Sequence, residues 1–274
     1  MDQIRDRHTG RDLTESDIKR SSLLVTLSDN GLEGVIAESG DRPLVRSHIL
    51  VRGKEAAEDF LRRRELARPF GSTTLYIDES GSYTLVPRDF TSGGVTPRHW
   101  LADLPEGHCL QSTTISDLGI DLIFTTSEET FDECQSALQS PSYAHPVAAL
   151  ALAGATYSRR RYPRTLLALI SEGHTDLCYC ESGHLRLANR YTIADRVDLL
   201  YYITSVWEHF RLDKEQDHLL IFGEESDEID SATQLLRDAV ANVRVNDYGS
   251  LCAHTEELAD IHSPVIRLAL ICGS

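Results

Sequence analysis

The sequence is short of basic charge and has no long apolar run. Lys and Arg number 27 against 43 Asp and Glu, for a net charge of −16 over 274 residues. Nucleic-acid binding depends on Lys and Arg neutralising phosphates, so this balance argues against a nucleic-acid partner. The one local exception is the cluster Arg159, Arg160, Arg161 and Arg164, which reads as a solvated linker or a cleft edge. No apolar stretch approaches the roughly 18 residues of a membrane-spanning helix, so no membrane span is expected. The opening MDQIRDRHTGRDL mixes both signs of charge without an apolar stretch. No signal peptide is therefore expected, and cytoplasmic residence is the default.

Several chemical signatures are missing as well. There is no GxSxG for a nucleophile elbow and no HExxH. Thr91-Ser92-Gly93-Gly94 is followed by no lysine in the P-loop position, so it reads as a loop. The six cysteines include no CxxC pair and read as small buried hydrophobes. The acidic run Glu224, Glu225, Asp227, Glu228 and Asp230 lacks the glycine hinge of a calcium loop. It reads as acid placed before a helix N-terminus, where the dipole favours it. Trp100 and Trp207 read as core or subdomain-contact residues.

What is present is an α/β pattern that occurs twice. Residues 1–20 lack periodicity and read as a flexible tail. SSLLVTL, LEGVIAES and PLVRSHILV then read as three strands. Lys54 to Ala67 carries Ala57, Phe60 and Leu61 at helical spacing, and TTLYIDESGSYTLVP reads as two strands around a Ser-Gly turn. The second half repeats the order with PRTLLALIS, TDLCYCE and HLRLANRY. A helix over Ile193–Phe210 follows, with Thr192 and Asp195 in a capping-box-like arrangement. It is apolar on two faces (Val197, Leu200 and Trp207; Leu199, Ile203, Val206 and Phe210), which predicts burial on most sides. The strand HLLIFG and a helix over about Ser231 to Val240 complete the half.

Ser22–Val45 overlays Thr165–Ala188 at an offset of 143 with seven identities in 24 positions. The matches include Ser28 with Ser171, Glu38-Ser39-Gly40 with Glu181-Ser182-Gly183, and Leu44 with Leu187. HPVAALALAG from His145 matches SPVIRLALICG from Ser263 at an offset of 118. The first half therefore carries 25 extra residues (143 − 118), expected within Glu79–Leu118. The reading is a duplicated subdomain, 21–157 and 158–274.

This architecture resembles the actin-like ATPase fold, which is ribonuclease H-like. Each half of that fold is a mixed sheet flanked by helices, and nucleotide binds in a cleft between the halves. The stretch LANRYTIADRVDLLYYITSVWEHFRLDKEQDHLLIFGEE and the proline-led terminal helix further resemble a bacterial domain-of-unknown-function family. That resemblance implies a fold of the pilus-assembly actin-homologue type, without an established activity.

The resemblance implies phosphate contacts at the first hairpin turn of each half and an adenosine contact at a later glycine pair. The corresponding residues are Asp29, Asn30 and Gly31, then Glu172 and Gly173, then Gly223 and Ser226. Each departs from what a nucleotide needs. Leu32 follows the first turn where a small hydroxyl residue is expected, Glu172 replaces an aspartate, and Glu224 replaces the second glycine. The expectation is a non-catalytic scaffold or protein-interaction module without a cofactor and with an unidentified protein partner. The alternative is a nucleotide-binding protein or weak ATPase using ATP and Mg²⁺ at those seven residues.

One further stretch, SEGHTDLCYCESGH (Ser171–His184), has the composition of a metal site. A turn at Ser182-Gly183 pairs Glu181 with His184 and Cys180 with Leu185. That register puts His184 on the opposite face from Cys178 and Cys180. His174 lies about 13 Å from Cys178 along an extended strand, so no metal is expected.

Overall fold

The computed structural model describes residues 6–38, 43–64, 66–79, 81–91, 97–101, 104–224, 227–252 and 255–273. Backbone contacts divide the chain into two compact units. One comprises residues 1–148, 256–266 and 274; the other comprises 149–255 and 267–273. No helix among the described residues is long and apolar enough to cross a membrane.

The first unit opens with α1 (Glu15–Arg20), inside the segment expected as a tail. Thr14 and Asp17 form a reciprocal capping box that satisfies two otherwise orphaned amides, and Ile18 is buried. Then follow β1 (Ser21–Ser28), β2 (Gly31–Glu38), β3 (Leu44–Arg52), α2 (Lys54–Arg62) and β4 (Ser72–Asp78). After β4 the chain builds β5 (Tyr83–Pro87), α3 (Arg88–Thr91), β6 (His108–Ile115) and β7 (Ile120–Ser127). It resumes with α4 (Glu128–Ala137) and β8 (Ser142–Ala144), and α5 (Pro146–Arg160) follows. The main sheet runs β3-β2-β1-β4-β8. β1 alternates, with Leu23 and Val25 fully buried, whereas β2 is buried along nearly its whole length. That is the difference between a strand covered on one face and a strand covered on both.

The second unit repeats the order: β9 (Arg164–Ser171), β10 (His174–Glu181), β11 (His184–Thr192), α6 (Arg196–His209), β12 (His218–Phe222), α7 (Asp227–Ala239) and β13 (Val243–Val245); α8 (Pro264–Cys272) begins in the first unit and ends in the second. Its sheet runs β11-β10-β9-β12-β13, the same topology strand for strand. In both sheets the first three strands are antiparallel and the last three parallel. α5 and α8 both begin at a proline, whose missing N–H costs nothing at the first helical position. The division between the units falls within α5, at 148/149, before the 157/158 boundary read from sequence.

Several expectations change. The offset of 143 holds through β1/β9 and β2/β10 and then fails. Glu38 pairs with Leu44, whereas Glu181 pairs with His184, so the first hairpin is three residues longer and Leu44 is not the counterpart of Leu187. The extra material in the first half is a separate sheet, β5-β7-β6, and it extends to Ser127 rather than ending at Leu118. β4 and β5 are therefore not a hairpin, since β5 pairs with β7. The helix over Lys54–Ala67 stops at Arg62. Asp195 itself caps α6, accepting from the amides of Val197 and Asp198, while Thr192 ends β11. α6 is buried on one side only, through Leu199, Ile203, Val206 and Trp207; Val197 and Tyr201 are more than 60% exposed. The arginine cluster is no linker either, because Arg159 and Arg160 close α5 and Arg164 opens β9.

Candidate functional site

The expected phosphate turns are two-residue hairpin connections in both units. In the first unit Ser28 pairs with Gly31, leaving Asp29 and Asn30 at the tip, where both are exposed. The Asn30 amide donates to Ser28 Oγ (3.3 Å), and its carbonyl accepts from the Gly53 amide (2.8 Å). Lys54 Nζ donates to Asp29 Oδ1 (3.3 Å), and this bond holds the lysine above its ordinary pKa. Gly31 has a backbone φ of +133°, and a Cβ there would lie 2.1 Å from the Val51 carbonyl oxygen. The glycine is thus required by the close approach of β3, which accounts for it without a ligand.

The second unit reproduces this tie. Ser171 pairs with His174, leaving Glu172 and Gly173 exposed at the tip. The Gly173 carbonyl accepts from the Ile193 amide (2.9 Å). Gly53 precedes α2 and Ile193 precedes α6 at equivalent positions. In both copies, therefore, the hairpin tip is fastened to the segment that leads into the crossover helix. Gly223 closes β12 beside the end of β9, packed so that a Cβ would lie 2.5 Å from Ile229 Cδ1 and 3.2 Å from the Ile170 carbonyl. Glu172-Gly173 and Gly223 therefore lie at the same end of one sheet. Ser226 lies outside the described residues, as does Glu225.

Asn246, which the sequence reading did not single out, saturates Gly223. Its Oδ1 accepts from the Gly223 amide (3.2 Å) and its Nδ2 donates to the Gly223 carbonyl (3.1 Å). Asn246 sits at a φ of +48°, a conformation asparagine tolerates better than most residues. Its own amide bonds the Ile221 carbonyl (2.8 Å). The glycine that would offer bare backbone to a nucleoside is thus paired in both its polar groups by one side chain.

Two buried carboxylates were also passed over. Glu33 in β2 accepts from His48 Nε2 (2.5 Å) and from the amides of His262 (2.7 Å) and Ser263 (2.5 Å) at the start of α8. Burial pushes its carboxyl up, but these three donors outweigh burial and hold it below the ordinary carboxylate range. Asp176 in β10, fully buried, receives a bidentate pair from Arg190 (2.9 and 2.6 Å). The two residues stand 143 apart, so the overlay of the halves already aligned them. An acid inside an otherwise apolar strand in both copies was the available signal. Arg164 is similarly committed, to Tyr179 Oη, Asp217 and the Phe210 and Arg211 carbonyls.

The register of the cysteine-bearing hairpin is the expected one, Cys180 with Leu185 and Glu181 with His184, with an unforeseen bulge at Arg186. Cys178 and Cys180 are fully buried while His184 is exposed. Cys180 packs against α5 at Gly154. Burial raises the Cys178 thiol well above its ordinary value and the Cys180 thiol to about 12, which opposes the thiolate a metal requires.

No curated protein matches the sequence. Among solved structures, the chain is similar to a Bacteroides thetaiotaomicron protein with an actin-like ATPase fold and unknown function. The TM-score is 0.75 at 16% identity, over 96% of this chain and 100% of that one. It is also similar to a chain of the PilM–PilN type IV pilus biogenesis complex, with a TM-score of 0.57 at 13% identity over 93% and 98% of the two chains. Duplicated β3-β2-β1-β4-β8 topology and these likenesses together establish an actin-like ATPase fold. A family profile described as protein of unknown function (DUF3822) matches residues 12–243, most of the chain, so the protein belongs to that family.

Proposed function

We propose that the protein is a non-catalytic scaffold or protein-interaction module built on the actin-like ATPase fold. The observation that carries this reading is the pairing of both Gly223 backbone groups by Asn246. Phosphate and nucleoside sites need unspent donors and backbone that a ligand can approach. Here the Gly223 amide, the Asn30 amide and the Asp29 carboxylate all have partners within their own unit. A magnesium ion at Asp29 would have to displace Lys54. The likeness to a chain solved within a PilM–PilN complex supports a protein partner in place of a small molecule. In this reading the module acts in the cytoplasm.

Thermal unfolding with and without millimolar Mg-ATP, Mg-ADP and Mg-GTP tests it. A ligand at 100 times its dissociation constant stabilises by about 2.7 kcal/mol, enough to move the midpoint by several degrees. No shift is expected with any of the three. A clear shift that Asp29→Ala abolishes would overturn the proposal in favour of nucleotide binding.

A further inference from the structure

β13 is a three-residue strand at the edge of the second unit's sheet, paired with β12, the kind of element that opens at low cost. Both of its ends are tied. At one end the Asn242 carbonyl accepts from the Leu219 amide (3.0 Å). Arg244 Nη2 donates to Tyr162 Oη (3.4 Å), with the guanidinium 5.8 Å from the centre of that ring. At the other end Asn246 pairs both backbone groups of Gly223.

His218, the first residue of β12, stacks on the same Tyr162 ring. The ring centroids are 3.4 Å apart and the planes 15° from parallel. His218 is 6% exposed, and its Nδ1 is enclosed and makes no hydrogen bond among the described residues. A proton on this ring would be a buried charge. Burial opposes it most strongly and Arg244 adds repulsion. The Gln216 carbonyl and Asp217 favour it but are outweighed, so the imidazole is held below its ordinary 6.5. Asp217 is committed elsewhere, since its Oδ2 accepts from Arg164 Nη1 (2.9 Å) and from the Asp213 amide (2.6 Å). Asp247 accepts from Arg244 Nη1 (3.0 Å). Tyr157 of α5, whose ring lies 5.5 Å from that of Tyr162, brings no charge, because burial pushes its hydroxyl up to about 12.

We infer that His218 is a pH-sensitive latch on β13: protonating its ring crowds two cations, His218 and Arg244, around Tyr162, and the edge strand swings away with the Asn246 side chain that covers Gly223. β13 is the element that yields because β12 is paired on both sides, to β9 and β13, whereas β13 holds by three residues. Opening would leave the Gly223 amide and carbonyl unspent in acid. The inference goes beyond the scaffold reading and holds whichever partner the module takes. The sign follows from the depressed imidazole. The latch is fully engaged above 6.5 and loses its hold as pH falls from there to the folded-state value.

Amide hydrogen exchange of the full chain by NMR, at about pH 7.5 and about pH 5.5 and corrected for intrinsic rates, tests this. The Asn246 and Gly223 amides should be less protected than those of β10. Their protection should fall about five- to tenfold over that range, about tenfold being the limit for one proton on a group of ordinary pKa 6.5. His218→Phe keeps a ring against Tyr162 without the proton and should reduce the fall to under about twofold. Should that variant not fold, Arg244→Gln decides: removing the repulsion should raise the midpoint at which the His218 ring titrates, followed by NMR. Unchanged wild-type protection, or the same fall in a folded His218→Phe, would overturn the inference. So would a wild-type His218 midpoint at or above 6.5, or one that Arg244→Gln does not move. Protection at Asn246 and Gly223 equal to that of β10 would overturn it too, because the edge would then open only with the whole unit.

Discussion

Replacing Glu33 by glutamine tests whether the first unit depends on a buried charge at the start of α8. The carboxylate accepts three hydrogen bonds, from His48 Nε2 and from two successive backbone amides, and its side chain is only 5% exposed. Glutamine keeps the shape but replaces one acceptor oxygen by a donor. One of the three donors then faces another donor with little water to turn to. An unsatisfied buried donor costs about 1–3 kcal/mol, and loss of the negative charge at the helix N-terminus adds about 0.3–1 kcal/mol. The expected loss is therefore about 1.3–4 kcal/mol at pH 7, read from urea denaturation midpoints at constant m-value. The sign of the pH dependence follows from the depressed carboxyl. Its folded-state pKa lies below the ordinary 4.5, so its stabilisation is fully present above 4.5 and drains away as pH falls through the folded value. Wild type should thus lose stability below about pH 4.5, and Glu33→Gln should lack that part of the loss. A variant within about 0.5 kcal/mol of wild type at pH 7, or one with an unchanged acid slope, would refute the reasoning.

Two further outcomes follow from the same kind of geometry. Gly31→Ala places a methyl 2.1 Å from the Val51 carbonyl at a φ of +133° and should cost more than about 2 kcal/mol; a loss under about 1 kcal/mol by urea denaturation would mean that β3 yields easily. Asp176→Ala removes the fully buried carboxylate that holds Arg190 by two hydrogen bonds and should cost about 3–5 kcal/mol, whereas the paired change Asp176→Leu with Arg190→Met should recover most of it; equal stability of the single and double variants, by the same assay, would show that the pair is not coupled.

How much of this was legible in the sequence depends on the range of the interaction involved. Alternation and turn residues are local, so the order strand-strand-strand-helix-strand, its repetition and the Glu181–His184 register could all be read directly. The inserted sheet could not, because β5 and β7 pair across 32 intervening residues and nothing nearby distinguishes β5 from the partner of β4. The burial of α6 was misjudged for a related reason. Apolar residues at Val197 and Tyr201 look the same in sequence whether a neighbour covers them or not. The turns are the most instructive case. Asp29-Asn30-Gly31, Glu172-Gly173 and Gly223 matched a phosphate-binding pattern loosely, and the sequence could show only that neighbouring residue types departed from it. What answers the pattern is remote in the chain: Gly53 and Lys54 for the first turn, Ile193 for the second, and Asn246 for the glycine. A glycine in such a motif signals only that backbone must come close to something. In β2 that something is the backbone of β3, and after β12 it is Ile229 and Ile170. The duplicated pair of buried acids carries the converse lesson. Glu33 and Asp176 break the apolar pattern at one equivalent position in both copies, yet one caps α8 and the other holds an arginine. Duplication has preserved the need for a buried negative charge in the second strand while leaving each copy to satisfy it differently.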